Sequence, residues 1–179
     1  MIVFLVALLV AQDTPPQKLK FTVEHLNLDT KKTAPLKSDE AKAFEKELKE
    51  LPAVADATCT ETTATITLKP DGTLKLSELR GTGKKTLTYD GGKPVIVFNT
   101  IKLEGKVTLT LKVDKNKEKV KDALKDLGFK DISENGDDYD ATIKSPVDLV
   151  TVVKKVCAKT GADYKIFEIL KEIVWRPAK

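Results

Sequence analysis

One short run occurs twice in this chain, and the repeat limits what it can fold into. Glu47-Leu48-Lys49-Glu50-Leu51-Pro52 closes one amphipathic stretch, and Ala123-Leu124-Lys125-Asp126-Leu127-Gly128 closes another. Strand-like residues follow each copy. Aligning Leu48 with Leu124 also sets Ala64-Thr65-Ile66 against Ala141-Thr142-Ile143 after a single-residue gap. An echo on that scale implies two related modules. In 179 residues each is small, yet large enough to bury a core.

The first module opens on alternation: Leu19, Phe21 and Val23 interleave with Lys20, Thr22 and Glu24, the period-two mark of a half-buried strand, and His25 continues the inward series. Residues 27–36 form a polar loop. Ser38 then reads as the cap of a helix whose apolar face is Ala41, Phe44, Leu48 and Leu51, with Ala41 standing where a capping box wants Glu. Pro52 stops it. Residues 54–62 and 64–68 are strands, and Leu74, Leu76 and Leu79 suggest a short second helix cut off by Gly81 and Gly83. Beyond these, 86–89, 95–98 and 102–103 read as strands, with turns at Asp90-Gly91-Gly92 and Glu104-Gly105.

The second module is plainer. Residues 107–113 alternate as a strand, Asp114 is placed to cap a helix with Val120, Ala123, Leu124 and Leu127 inward, and Gly128 ends it. Residues 129–132 and 139–143 are strands joined across Asn135-Gly136. Pro146 suits the first turn of a second helix, with Leu149, Val152, Val153 and Val156 on its inner side and Gly161 at its end. Residues 164–175 supply a last strand, although 167–173 also fit a helix. The order is strand, helix, strand, strand, helix, strand, so the expected class is α+β. The expected architecture is two ferredoxin-like (βαββαβ) modules, each an antiparallel sheet with two helices on one face.

Both modules resemble heavy-metal-associated domains of the copper-chaperone type. The resemblance rests on Phe21-Thr22-Val23-Glu24, on residues 44–54 ending Leu51-Pro52-Ala53-Val54, and on residues 120–128. It covers most of residues 19–175. The family holds Cu(I) with two cysteines, two residues between them, in the loop before the first helix. Counting back from Leu48 puts those positions at Lys37 and Glu40; counting back from Leu124 puts them at Val113 and Asn116. None is a soft ligand. The resemblance therefore implies the scaffold without its metal motif.

The expected division is a signal-like apolar segment at 1–11, a polar linker at 12–18, a first module at 19–104, a second at 105–175 and a tail at 176–179. The apolar segment is too short to span a membrane, so no stable span is expected in the mature chain. It suits a cleaved or lipid-retained export signal, with a buried first strand as the alternative, and export means a periplasmic, extracellular or envelope location. Cys59 and Cys157 are candidates for one disulfide linking the modules, with two buried free thiols as the other reading. Together with His25 they are also the candidate ligands for copper or zinc.

Net charge is +4, with 31 basic residues offset by 27 acidic ones, which gives no concentrated field for nucleic acid. Gly81-Thr82-Gly83-Lys84-Lys85-Thr86 glances at a phosphate loop but has Glu78 and Lys85 where glycine and a hydroxyl residue are required. Glu134, Asp137, Asp138 and Asp140 lack the ligand order of a calcium loop. With one histidine and no recognisable nucleophile setting, no catalytic residue stands out. The sequence thus reads as a non-catalytic binding protein with a protein partner and no cofactor, with metal handling through non-standard ligands as the alternative.

Overall fold

The computed structural model describes residues 17–82 and 91–176. The apolar segment 1–11, residues 12–16, the strand expected at 86–89, most of the glycine-lysine turn and residues 177–179 lie outside the described residues. The protein is α+β, with two antiparallel sheets and helices packed on them. No described helix is long and apolar enough to cross a membrane.

The first sheet contains β1 (Lys18–Asn27), β2 (Thr33–Ala34), β3 (Val54–Cys59), β4 (Thr63–Leu68) and, after β5 (Leu74–Lys75), β6 (Gly92–Ile96). Its strands run β6-β1-β4-β3, and β2 forms a short hairpin with the far end of β1, inside what reads from sequence as loop. Alternation works as expected: Leu19, Phe21 and Val23 are buried, as are Ala64, Ile66 and Leu68 on β4. Against them helix α1 (Ser38–Lys49) packs Ala41, Phe44 and Leu48.

The start of α1 differs from expectation. Lys37, not Ser38, is the cap residue, which moves the capping-box position from Ala41 to Glu40. The box is therefore filled: Glu40 Oε2 accepts the Lys37 N–H at 3.0 Å, satisfying one of the amides that a helix start leaves over.

The second sheet contains β7 (Lys102–Leu111), β8 (Lys130–Asn135), β9 (Asp138–Asp148) and β10 (Leu170–Arg176). The strands run β5-β10-β7-β9-β8. Helix α2 (Leu76–Gly81) follows β5 directly, and both leave the first sheet. Leu74 pairs with Trp175, and the Ser77 N–H donates to Glu172 on β10. Leu74, Leu76 and Leu79 are all buried there, so the short apolar helix expected in the first module is attached to the second sheet.

Helices α3 (Val120–Asp126) and α4 (Leu149–Thr160) pack on each other, burying Val120, Ala123 and Leu124 against Val152, Val153 and Val156. A four-residue helix α5 (Ile166–Ile169) leads into β10, so the last segment is helical first and strand after. The two strands expected at 102–103 and 107–113 are one, because Gly105 adopts φ +78° and the chain continues through it. Asp114 is not a cap: a 3-10 turn at Lys117–Lys119 intervenes before α3. Pro146 belongs to β9, and α4 begins only at Leu149. The buried apolar residues of both sheets form one contiguous cluster.

Candidate functional site

The two loops reached by counting back from Leu48 and Leu124 are closed by structural hydrogen bonds. In the first, Glu40 is fully buried; one carboxylate oxygen caps α1 and the other meets His25 Nδ1 at 2.6 Å. His25 lies against Gly92, where any Cβ would collide with the imidazole. In the second, Val113 is buried, and Asn116 adopts the left-handed conformation and donates from Nδ2 to Thr160 O at 2.8 Å, tying the loop to the end of α4. Two residues that sequence reading scored only as non-ligands are thus fasteners.

The cysteines stand apart as free thiols. Cys59 is on β3, an edge strand of the first sheet, and its backbone N–H donates to Glu45 Oε2. Burial, aided by the Glu45 carboxylate, pushes its thiol up to about 11. Cys157 is buried on α4, and burial raises its thiol too. His25, Cys59 and Cys157 are not brought together, and among the described residues no group of three such donors could hold a metal ion. The acidic turn is neutralised locally. Lys117 pairs with Asp137, Lys121 with Glu134, and Arg176 with Asp140, while Thr110 donates to Asp138.

A different feature collects unmatched groups: a cleft of about 600 Å³ where the two sheets meet, within the usual range of ligand pockets. Its floor is the outer face of β1 with Lys18, Lys20 and Thr22, next to Thr63 of β4. The facing wall is Asn99, Thr100, Lys102 and Glu104, closed at one end by Pro146 and Asp148 of β9. Lys18, Lys20, Lys102, Glu104 and Asp148 take part in no ion pair among the described residues.

The cleft exists because a ladder stops. Strand β6 pairs with β1 from Val23 to Asn27, and the last bond is Val97 N–H to Thr22 O. The chain then turns through a 3-10 helix (Phe98–Thr100), whose Thr100 Oγ1 accepts the Thr22 N–H at 2.9 Å. On its other side β1 pairs with β4 along Lys18 to Thr22. In that register Gln17 and Val23 bond to β4, so Leu19 and Phe21 do as well, and the N–H and C=O groups of Lys18 and Lys20 point toward the side that β6 does not reach. Strand β7 lies on the other side of the gap, and its pairing with β10 among the described residues runs from Leu111 to Lys106. Across the gap, Gln17 Nε2 donates to Glu104 O at 2.6 Å, in space that a side chain at Gly105 would occupy.

Sequence reading gives the alternation that turns Lys20 and Thr22 outward, but it leaves Lys18, the first residue of β1, in the linker. It does not give the point where β6 ends, because that depends on a turn at residues 98–100 with no glycine or proline to mark it. Comparison with protein-family models, with curated proteins and with solved structures found no match to this chain.

Proposed function

We propose that this chain is an exported, non-catalytic interaction protein built on two ferredoxin-like modules of the heavy-metal-associated kind, whose metal loops have become structural. Support for the scaffold comes from strand order. Written in each unit's own sequence order, β6-β1-β4-β3 and β10-β7-β9-β8 are both fourth, first, third, second, with every pairing antiparallel. Support for the loss of the metal role comes from Glu40 and Asn116, which spend their polar groups on His25 and Thr160 at the positions where the family has thiolates.

The observation that carries the binding role is the cleft between the sheets. Charges of both signs line a concave surface and take part in no ion pair among the described residues, so a ligand's own charges can meet them there. The partner class is protein, engaged through the sheet surfaces at that junction.

The reading is tested by titrating the 15N-labelled chain with a mixture of random octapeptides. Amide shifts gathered at Lys18, Lys20, Thr22, Thr63 and Lys102 support it. Their absence at saturating peptide, or shifts placed only elsewhere, contradicts it. Export is tested separately by fusing residues 1–16 to a reporter active only outside the cytoplasm.

A further inference from the structure

We propose that Arg80, held over the rings of Phe98 and Phe167, anchors an acidic segment of a partner protein, which sets a carboxylate on the guanidinium and an apolar side chain on Phe167. None of the three residues lines the cleft, so this is a second surface.

Rings from two elements converge on one cation. Arg80, in the last turn of α2, sets its guanidinium carbon 5.2 Å from the centre of the Phe98 ring and 5.7 Å from that of the Phe167 ring on α5. A guanidinium that lies over a ring keeps its N–H groups in its own plane, as a fork that fits a carboxylate. Arg80 is exposed, and it takes part in no hydrogen bond or ion pair among the described residues. Acids on the elements around it are engaged elsewhere: Glu78 accepts the Lys75 N–H, Glu172 accepts the Ser77 N–H, and Glu168 pairs with Lys165. A cation already fixed by two rings loses little freedom on meeting an anion, so an incoming carboxylate is favoured there.

Phe167 supplies the apolar half. It is 66% exposed and Tyr164 is 46% exposed, and these are two of the three large apolar side chains that the described residues leave open to solvent. The Tyr164 ring also carries a cation, with Lys154 Nζ 5.7 Å from its centre, and Lys154 has no ion pair among the described residues. Aromatic rings beside arginine are the composition of a binding hot spot. Cations left unpaired at such a place select a partner of the opposite sign.

The test uses the full chain and a capped hexapeptide alternating glutamate and leucine. Expected is saturable binding by calorimetry, with NMR shifts of the Arg80 side-chain Nε–H and of the Phe98 and Phe167 ring protons. Affinity should fall about tenfold or more when glutamine replaces the peptide's glutamates, and by a similar factor in Phe167→Ala. Arg80→Lys, which keeps the charge and loses the planar fork, should cost about threefold or more. Both substitutions sit on exposed side chains, and the shifts and the glutamine peptide read the contact in the unaltered chain. Undiminished affinity of the glutamine peptide, or of both variants, overturns the proposal. Tighter binding at the same residues by vesicles of anionic phosphatidylglycerol overturns the protein partner in favour of a membrane surface. Shifts confined to Lys18, Lys20 and Thr63 overturn the Arg80 surface and leave the cleft as the binding site, whereas shifts confined to Arg80, Phe98 and Phe167 support it and count against the cleft.

Discussion

The two sheets share a strand order but differ in what covers them. In the second, α3 and α4 pack together and α4 lies on β9, and the sheet gains an additional edge strand in β5. In the first, α1 stands over the sheet while β5 and α2 have crossed to the second sheet, taking Leu74, Leu76 and Leu79 with them. β6 returns to pair with only the distal half of β1. The difference teaches how two sheets of like strand order come to differ at their edges. The second keeps two helices packed together beside it; the first lends β5 and α2 away, and part of the β1 edge is left unpaired among the described residues.

The largest effects should come from the echoed leucines. Leu48 and Leu124 are both fully buried under their sheets, so Leu48→Ala and Leu124→Ala should each cost roughly 2–5 kcal/mol in urea unfolding. A near-zero value for one would break the equivalence of the two echoed positions. Leu79→Ala belongs to the same size class and sharpens the comparison by location. It should speed amide exchange in β10 and β7 ahead of β4, and the reverse order would return α2 to the first sheet.

Next come the fasteners. Glu40→Ala removes a helix cap and strands His25 and should cost about 2–3 kcal/mol, since both lost bonds involve a carboxylate. Asn116→Ala removes one neutral bond to Thr160 and should cost about 1 kcal/mol. Equal costs would mean that the two loops are closed alike.

The smallest effect is at Tyr139, fully enclosed, with its hydroxyl unbonded among the described residues. Burial, then Glu134 and Asp137, pushes it up from 10.0 to about 12. As pH rises past 10.0 the unfolded chain loses this proton first, so the folded form loses stability progressively until about pH 12. Tyr139→Phe should flatten that alkaline fall and change stability at neutral pH by less than about 1 kcal/mol. A loss above about 2 kcal/mol would show that the hydroxyl is bonded.

Much of the fold was legible because period-two and helical spacings are local. Leu19 to Val23, Ala64 to Leu68 and the faces around Leu48 and Leu124 are buried as their patterns require. What was hidden depends on tertiary choice. Nothing in Leu74, Leu76 and Leu79 tells which sheet they will cover, and Pro146 suits a helix start as well as the end of a long strand. Glu40 was legible as a polar residue, whereas its two bonds required the cap to move to Lys37 and His25 to arrive from β1. The candidate site was least visible, because it is the end of a hydrogen-bond ladder, and ladders are written in pairs of segments.

The unfinished edge of β1 is tested most directly by residue-resolved amide hydrogen exchange on the full chain. The register predicts that Leu19 and Phe21, bonded to β4, exchange slowly while Lys18 and Lys20 exchange fast, giving a period-two pattern that ends at Thr22, where Thr100 takes the next amide. Uniform protection from Lys18 through Thr22 would mean that this edge is already occupied, and would contradict the account.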